Sequence, residues 1–224
     1  MDRVFIDGEF TLTPPLFSQV FVILAKRAEY VFPVMYALLP NNQETYDGLF
    51  GIIKTIWPLF NPTSISLGFE MEVMNSVRQA SPRAELHGCL FHLKKSMRRQ
   101  LSENGLLQHY NAEPQFALHA RMIAFVPIEN LDDAFDALSK QLANELMSTL
   151  NWFEDNYIAR PGRNTRRSRP ALIPPEILSM YQLTISGIQR TNNEAEAAHQ
   201  RLKRTWRCPP LNLEVHRWSL LRPK

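Results

Sequence analysis

Hydrophobic and polar positions alternate in two different ways along the first half of the chain. Three apolar runs, rich in β-branched and aromatic side chains, span residues 4–10, 17–24 and 30–39. Runs of this kind, separated by short polar stretches, predict three strands of an antiparallel meander. Pro33 lies inside the third run. Because proline has no backbone donor, we expect this strand at the edge of the sheet.

The pattern then changes to the spacing of a helix. Apolar residues recur every three or four positions over residues 44–57, and Pro58 ends the run. Further along the chain the pattern predicts two more strands, over 64–67 and 84–91, and two more helices, over 70–80 and 92–106. This order of elements predicts an α/β fold with a five-stranded sheet.

The second half of the chain is different in character. Residues from about 113 to 158 have a mostly helical pattern, whereas residues 159–175 hold five arginines and four prolines and predict a basic linker or exposed loop. A last helix is predicted from about residue 191 or 193 to about 207. Thr191 and Glu194 have the spacing of a capping box at its start.

Composition excludes several classes of protein. The chain has 224 residues, of which 45% are hydrophobic and 10% aromatic, so it is expected to fold around a core. Two cysteines exclude a disulfide-framed secreted module and a four-cysteine zinc site. The first residues lack the pattern of a signal peptide, and no apolar run reaches about 18 residues. We expect a nuclear or cytoplasmic protein that is neither secreted nor inserted in a membrane.

Positive charge is concentrated near the end of the chain. Residues 157–224 carry 13 Lys and Arg against 4 Asp and Glu, whereas residues 1–92 and 93–156 each carry 6 against 9. Such asymmetry favours a polyanionic partner, with nucleic acid the first candidate. A solvated basic tail explains the charge alone equally well.

Three places hold candidate chemistry. Asp7 interrupts an apolar strand, Cys89 and His92 lie three residues apart, and Glu196 and His199 share one face of the last predicted helix. Taken singly, each has a structural interpretation: a satisfied aspartate at a strand end, a buried cysteine, and a polar helix start. No second Cys/His pair completes a zinc tetrahedron, so zinc is not expected.

Taken together and in this order, these places resemble the transposases of Mutator-like elements. The resemblance covers nearly the whole chain. The two most specific stretches are Gly88-Cys89-Leu90-Phe91-His92 and Arg190-Thr191-Asn192-Asn193. The matching stretches are 5–10, 17–19, 33–40, 46–50, 68–70, 88–92, 106–110, 124–127, and 190–193 continued through 196 and 199.

The resemblance implies a ribonuclease H-like fold, in which a mixed five-stranded sheet is flanked by helices and a helical insertion precedes the last catalytic helix. On this basis the chain is divided into four parts. They are a ribonuclease H-like core over 1–111, a helical insertion over 112–189 that includes the loop 159–175, a returning helix over 190–207, and a basic tail over 208–224.

The resemblance also implies a site of three carboxylates that binds two Mg²⁺ or Mn²⁺ ions for DNA strand cleavage and transfer. Asp7 matches the first catalytic aspartate and Glu196 the catalytic glutamate, so both are the expected metal ligands. The second aspartate of the family precedes a Phe-Glu pair. Here Gly68 precedes that pair, so the second carboxylate is missing. Glu70 is the candidate substitute.

Further residues carry expected supporting roles. Cys89 and His92 match the family's Cys-x-x-His pair, while Asn192, Asn193 and His199 belong to the motif around Glu196. DNA is the expected partner, and self-association is left open. The basic residues expected to contact DNA are Arg163, Arg166, Arg167, Arg169, Arg201, Lys203, Arg204 and Arg207.

Three departures from the family pattern lower the expected activity, one of which is Glu9, an added anion where the family usually has threonine after Asp-Gly. Gly68 removes a metal ligand, and the resemblance implies a DNA-binding region before the core, for which the six residues ahead of Asp7 are too few. We therefore expect a truncated, catalytically impaired transposase core. The alternative is a non-catalytic, transposase-derived module that binds DNA or a protein. A general ribonuclease H-like nuclease is disfavoured by the two specific stretches, and a decayed protein with no present activity stays open.

Overall fold

The computed structural model describes residues 3–11, 13, 17–40, 43–112, 122–141, 144–158, 170–191 and 193–206. Within these residues the chain forms an α/β fold with one five-stranded mixed sheet flanked by helices. The strands are β1 Arg3–Glu9, β2 Gln19–Arg27, β3 Tyr30–Leu39, β4 Ser64–Leu67 and β5 Glu85–Gly88.

The sheet has the strand order β3-β2-β1-β4-β5. Strands β1, β2 and β3 form the predicted antiparallel meander, whereas β4 and β5 continue the sheet parallel to β1. Strand β3 lies at the edge, as Pro33 predicts, and the pairing of β2 with β3 shifts register between Ile23 and Leu24. The parallel strands bring their carboxyl ends to one edge of the sheet.

The helices follow the predicted pattern closely. Their bounds are α1 Gln43–Ile56, α2 Met71–Ala80, α3 Leu90–Glu103, α4 Leu107–Ala112, α5 Leu131–Gln141, α6 Met147–Tyr157, α7 Pro175–Leu178, α8 Tyr181–Ile185 and α9 Asn193–Trp206. Three short 3₁₀ helices span Ile123–Phe125, Ile128–Asn130 and Asn144–Leu146. None of the helices in the described ranges has the length and apolar composition needed to cross a lipid bilayer.

One predicted boundary is wrong. The strand predicted over 84–91 ends at Gly88, and α3 begins at Leu90. The reason is that Leu90, Leu93 and Met97 form a buried stripe at helical spacing. The apolar run therefore contains the first turn of a helix as well as a strand.

The two faces of the sheet are covered differently. One face packs on a large apolar cluster that includes α1, α2, α3 and side chains from residues 123–183. On the other face, Ala195 and Ala198 of α9 pack against Phe5, Val22 and Leu24. Because alanine side chains are small, the helix lies close to the strands, which fixes the position of the polar residues beside them.

Helix α7 approaches the end of β5 closely at Gly88. A Cβ atom at this position would lie 2.6 Å from the Phe69 ring and 2.8 Å from the carbonyl oxygen of Ile177. Only glycine fits this contact without movement of its neighbours. Nearby, the Leu90 amide donates a hydrogen bond of 3.1 Å to the Arg190 carbonyl. Ile177 and Arg190 therefore contact the end of β5 and the start of α3.

Candidate functional site

The candidate site lies at the carboxyl edge of the parallel strands. Asp7 stands near the end of β1, Gly68 directly follows β4, and Cys89 directly follows β5. Helix α9 crosses the face of the sheet that carries Phe5, two positions before Asp7. Since alternate residues of a strand share a face, Asp7 points towards this helix.

Asp7 is a buried carboxylate with a partner for each oxygen. Its side chain is 8% exposed, and the imidazole of His92 in α3 donates from Nε2 to Oδ1 over 3.1 Å. The imidazole of His199 in α9 lies with Nδ1 3.2 Å from Oδ2. One carboxylate therefore joins β1, α3 and α9.

The electrostatics of this cluster favour ionised groups. Burial alone raises the pKa of Asp7, but hydrogen bonds and positive charge from His199 and His92 lower it to about 2. Burial alone lowers the pKa of His92, but the hydrogen bond to Asp7, with a contribution from Cys89, raises it to about 10. At neutral pH, Asp7 is an anion and His92 is a cation.

Glu196 faces the same cluster from one turn earlier on α9. It is partly exposed, yet its Oε1 atom is buried without a hydrogen-bond partner among the described residues. Burial raises the pKa of Glu196, and the negative charge of Asp7 raises it further, whereas His92, Lys95 and His199 oppose the change. The structure thus brings Asp7 and Glu196 close enough for their charges to interact.

Gly68 borders this cluster directly. A Cβ atom at Gly68 would lie 3.4–3.6 Å from atoms of the His92 ring, which is ordinary van der Waals contact. An aspartate side chain therefore has room to begin at this position. Its carboxylate would extend next to the imidazole that now binds Asp7.

Glu70 lines a small cavity together with Asp7 and Gly68, and its carboxylate is held there by Tyr46. Its Oε2 atom accepts a hydrogen bond of 3.3 Å from the Tyr46 hydroxyl, and its Oε1 atom lies 3.9 Å from the position of a Cβ on Gly8. Because Gly8 follows Asp7 in the strand, a Cβ at Gly8 would lie on the face opposite to the Asp7 side chain, so Glu70 approaches the strand from that face. Burial raises the pKa of Glu70; His92 and Tyr46 oppose this, and the charge of Asp7 adds to it.

As arranged, these side chains do not fit the pair of hard cations that the resemblance implies. Both oxygens of Asp7 are engaged by imidazoles, one oxygen of Glu70 accepts from Tyr46, and Oε1 of Glu196 has no hydrogen-bond partner among the described residues. Mg²⁺ requires several oxygen ligands in near-octahedral geometry. Across the part of the chain that the structure describes, no three His, Cys, Asp or Glu side chains form a group that could hold a metal ion.

The remaining predicted site residues are distributed as follows. Cys89 is buried and precedes the first turn of α3, where its carbonyl accepts from the Leu93 amide. Asn193 is exposed at the start of α9, and Arg201 and Arg204 are exposed further along it. Lys203 reaches Thr11 with a distance of 3.4 Å between Nζ and Oγ1. Six predicted site residues lie outside the described residues: Arg163, Arg166, Arg167, Arg169, Asn192 and Arg207.

Three neighbours of the site were not assigned a role from the sequence. Gln19, fully buried, donates from its side chain to the Tyr46 hydroxyl, which in turn meets Glu70. Both Gln19 and Tyr46 lie within stretches that carry the family resemblance, which was the available signal. Lys95 acts on Glu196 through its charge, and nothing in its local sequence distinguished it from the other basic residues of α3.

Comparison with known proteins adds no further information on function. No protein-family model and no curated protein sequence matches this chain.

Proposed function

We propose that this chain is the core of a Mutator-like transposase with a ribonuclease H-like fold, which binds DNA and whose metal-dependent strand cleavage is impaired. The observation that carries this proposal is the meeting of Asp7, position 68 and Glu196 at one edge of the sheet. These positions are far apart in the sequence. A site for phosphoryl chemistry is built in this way, from strand ends and a facing helix.

The arrangement of the elements supports the fold part of the proposal. A three-stranded antiparallel meander is extended by two parallel strands, and the order β3-β2-β1-β4-β5 places the first strand in the centre. The helix that carries Glu196 packs on the face of the sheet to which Asp7 points. This architecture is compatible with a ribonuclease H-like fold.

The impaired activity follows from the surroundings of Asp7. Gly68 supplies no carboxylate, and His92 and His199 occupy both oxygens of the one aspartate that the site retains. Loss of one metal ligand usually lowers the rate of a metal-dependent enzyme by several orders of magnitude. The closed His-Asp-His cluster also favours the second candidate, a non-catalytic DNA- or protein-binding module.

DNA binding is supported by the exposed basic residues of α9. Arg201 and Arg204 are exposed, and Lys203 contacts Thr11, two residues beyond the end of β1. Cations on this helix lie next to the candidate site, so bound DNA would pass close to Asp7. Because such contacts are made to phosphates, the affinity should fall steeply with salt.

A cleavage assay with Gly68→Asp tests the catalytic part. We expect wild-type protein to show no nicking of plasmid DNA that depends on Mg²⁺ or Mn²⁺, and Gly68→Asp to raise nicking at least tenfold. Gly68→Asn is the matched control, because it adds the same volume without the charge. Adding Asp7→Asn to Gly68→Asp should remove the gain.

The outcomes separate the two candidates. Metal-dependent nicking by wild-type protein that Asp7→Asn abolishes would contradict impaired catalysis. If Gly68→Asp folds, binds DNA and still does not cleave, the non-catalytic module is the better description.

A binding assay tests the DNA part. We expect duplex DNA to bind at low salt, and Arg201→Ala with Arg204→Ala to weaken binding and to reduce the salt slope by about 1 for each lost contact. The matched control removes two exposed cations elsewhere, Lys54 and Arg78. Equal loss in both double variants, or no binding at low salt, would contradict a DNA interface on α9.

A further inference from the structure

A groove of about 960 Å³ lies at the opposite end of the parallel strands from Asp7. Its walls include the first residues of three strands, namely Arg3 of β1, Ser64 of β4 and Glu85 of β5. The groove therefore involves the amino ends of these strands, whereas the candidate active site lies at their carboxyl ends. Nothing in the proposed transposase chemistry uses it.

Arg3 is a buried cation in the lining of this groove. The residue is 7% exposed, and Nη2 donates two hydrogen bonds of 2.8 Å, to Ser66 Oγ and to the Gln189 carbonyl. Its guanidinium lies 5.2 Å from the centre of the Phe5 ring. Both hydrogen-bond acceptors are neutral, so the charge of Arg3 is not balanced by them.

No carboxylate among the described residues forms an ion pair with Arg3, and its Nε atom is buried without a partner. Burial lowers the pKa of Arg3, as expected when a charged group loses water and gains no counter-ion. Buried charges in proteins are normally paired. The guanidinium is therefore placed to accept an anion from outside.

Two more cations line the same groove. Lys26 and Arg27 are exposed at the end of β2. One acid is present, since Glu85 also lines the groove and lies 3.8 Å from His87. Burial, together with the charge of Arg3, lowers the pKa of His87, so this imidazole is neutral at pH 7. Three cations face one carboxylate, which leaves a surplus of about two positive charges.

The rest of the groove is apolar. Phe32 and Val34 of β3 and Trp57 beyond α1 form part of its wall, and Leu183 and Ile188 form another part. Phe32 and Val34 are each 43% exposed. An apolar wall with a few converging polar groups, at a volume near the upper end of the usual range, is typical of a site for an organic ligand.

We propose that this groove binds a phosphate-bearing organic molecule, with the phosphate held by Arg3, Lys26 and Arg27 and an aromatic body packed against Phe32 and Trp57. A phosphate monoester carries nearly two negative charges at neutral pH and matches the positive surplus, whereas a carboxylate neutralises half of it. The planar guanidinium of arginine suits phosphate oxygens in particular. The same chemistry is offered by a free small molecule and by the terminal phosphate of a nucleic acid strand.

Calorimetric titration of the full chain tests the site. The probe is phenyl phosphate, compared with inorganic phosphate, benzyl alcohol and benzoate at low ionic strength. We expect phenyl phosphate to bind at least tenfold more tightly than each of the other three. Absence of saturable binding, or equal affinity for inorganic phosphate, would overturn the proposal.

Variants place the binding in the groove. Lys26→Ala with Arg27→Ala should weaken phenyl phosphate at least tenfold, and Arg3→Met should do the same. Lys54→Ala with Arg78→Ala removes the same charge elsewhere and should leave the affinity within twofold of wild type. If the groove variants, with circular dichroism spectra like wild type, bind as wild type does, the assignment is wrong.

A competition experiment separates the two sources of the phosphate. Bound phenyl phosphate is challenged with thymidine 5′-monophosphate and with a short single-stranded oligonucleotide that carries a 5′-phosphate. Displacement by both supports a site open to a strand end, and displacement by the nucleotide alone supports a small-molecule site. Displacement by neither contradicts a phosphate site of this size.

Discussion

The two ends of the parallel strands hold charges at nearly the same depth, but they balance them differently. At the carboxyl end, Asp7 is 8% exposed and each of its oxygens meets an imidazole. At the amino end, Arg3 is 7% exposed and its described partners are neutral. The negative charge of Asp7 is balanced by groups of the chain itself, whereas the positive charge of Arg3 is left to pair with a ligand. Equal burial therefore does not imply equal function.

The largest effect expected from this contrast is the loss of Asp7. Asp7→Ala leaves a cationic His92 without its counter-charge in a buried site, so we expect the free energy of unfolding to fall by about 3–5 kcal/mol. Urea denaturation at pH 7 measures it. Asp155→Ala, which removes an exposed acid, is the matched control and should change stability by less than about 0.5 kcal/mol.

A change of less than about 1 kcal/mol in the free energy of unfolding of Asp7→Ala would contradict the contrast between the two strand ends. It would mean that His92 loses its proton readily and that the cluster does not join β1, α3 and α9.

The next effect is a dependence of stability on pH. The folded-state pKa of His92 is raised to about 10, so its contribution is complete below its ordinary pKa near 6.5 and is lost as pH rises towards 10. The pKa of Asp7 is lowered to about 2, so its contribution is complete above about pH 4 and is lost as pH falls towards 2. Stability from the pair is greatest between these ranges.

Denaturation at pH 6 and at pH 9.5 measures this dependence. We expect wild-type protein to lose about 4 kcal/mol more than His92→Gln over this interval, because the variant has no imidazole at that position to titrate. Parallel curves for the two proteins would show that Asp7 and His92 do not stabilise the fold as an ion pair.

The smallest effect is expected at the other end of the strands. Arg3→Met removes two hydrogen bonds but also removes a buried charge, so we expect a change within about 1 kcal/mol in phosphate-free buffer. Ser66→Ala, which removes one acceptor of Arg3, should cost about 1 kcal/mol. A loss above about 3 kcal/mol for Arg3→Met would show that a counter-ion within the chain already balances this arginine.

Much of the sheet could be predicted because the spacing of apolar residues and the positions of prolines indicate where strands and helices lie. Pro33 placed β3 at the edge, and the helical spacing before Pro58 gave α1 to within about one residue at each end. The end of β5 was missed because an apolar run does not reveal where extended backbone becomes helical.

The site was predictable only in part. The motif order predicted that Asp7, position 68 and Glu196 meet, and the structure places them together. That His92 and His199 both bind Asp7 was not predictable, since it depends on how closely Ala195 and Ala198 let α9 approach the sheet. The burial of Arg3 depends on a contact with Gln189, which no local pattern encodes.

The contact at Gly88 has a consequence for shortening or recombining this chain. Because the Ile177 carbonyl and the Phe69 ring meet where a methyl group would stand, the edge of the sheet is shaped to receive α7. Deleting residues 170–191 to shorten the chain would remove the Ile177 carbonyl from the end of β5 and leave the Leu90 amide, in the first turn of α3, without the Arg190 carbonyl. A workable truncation has to keep this segment, even though it lies beyond the last strand in the sequence.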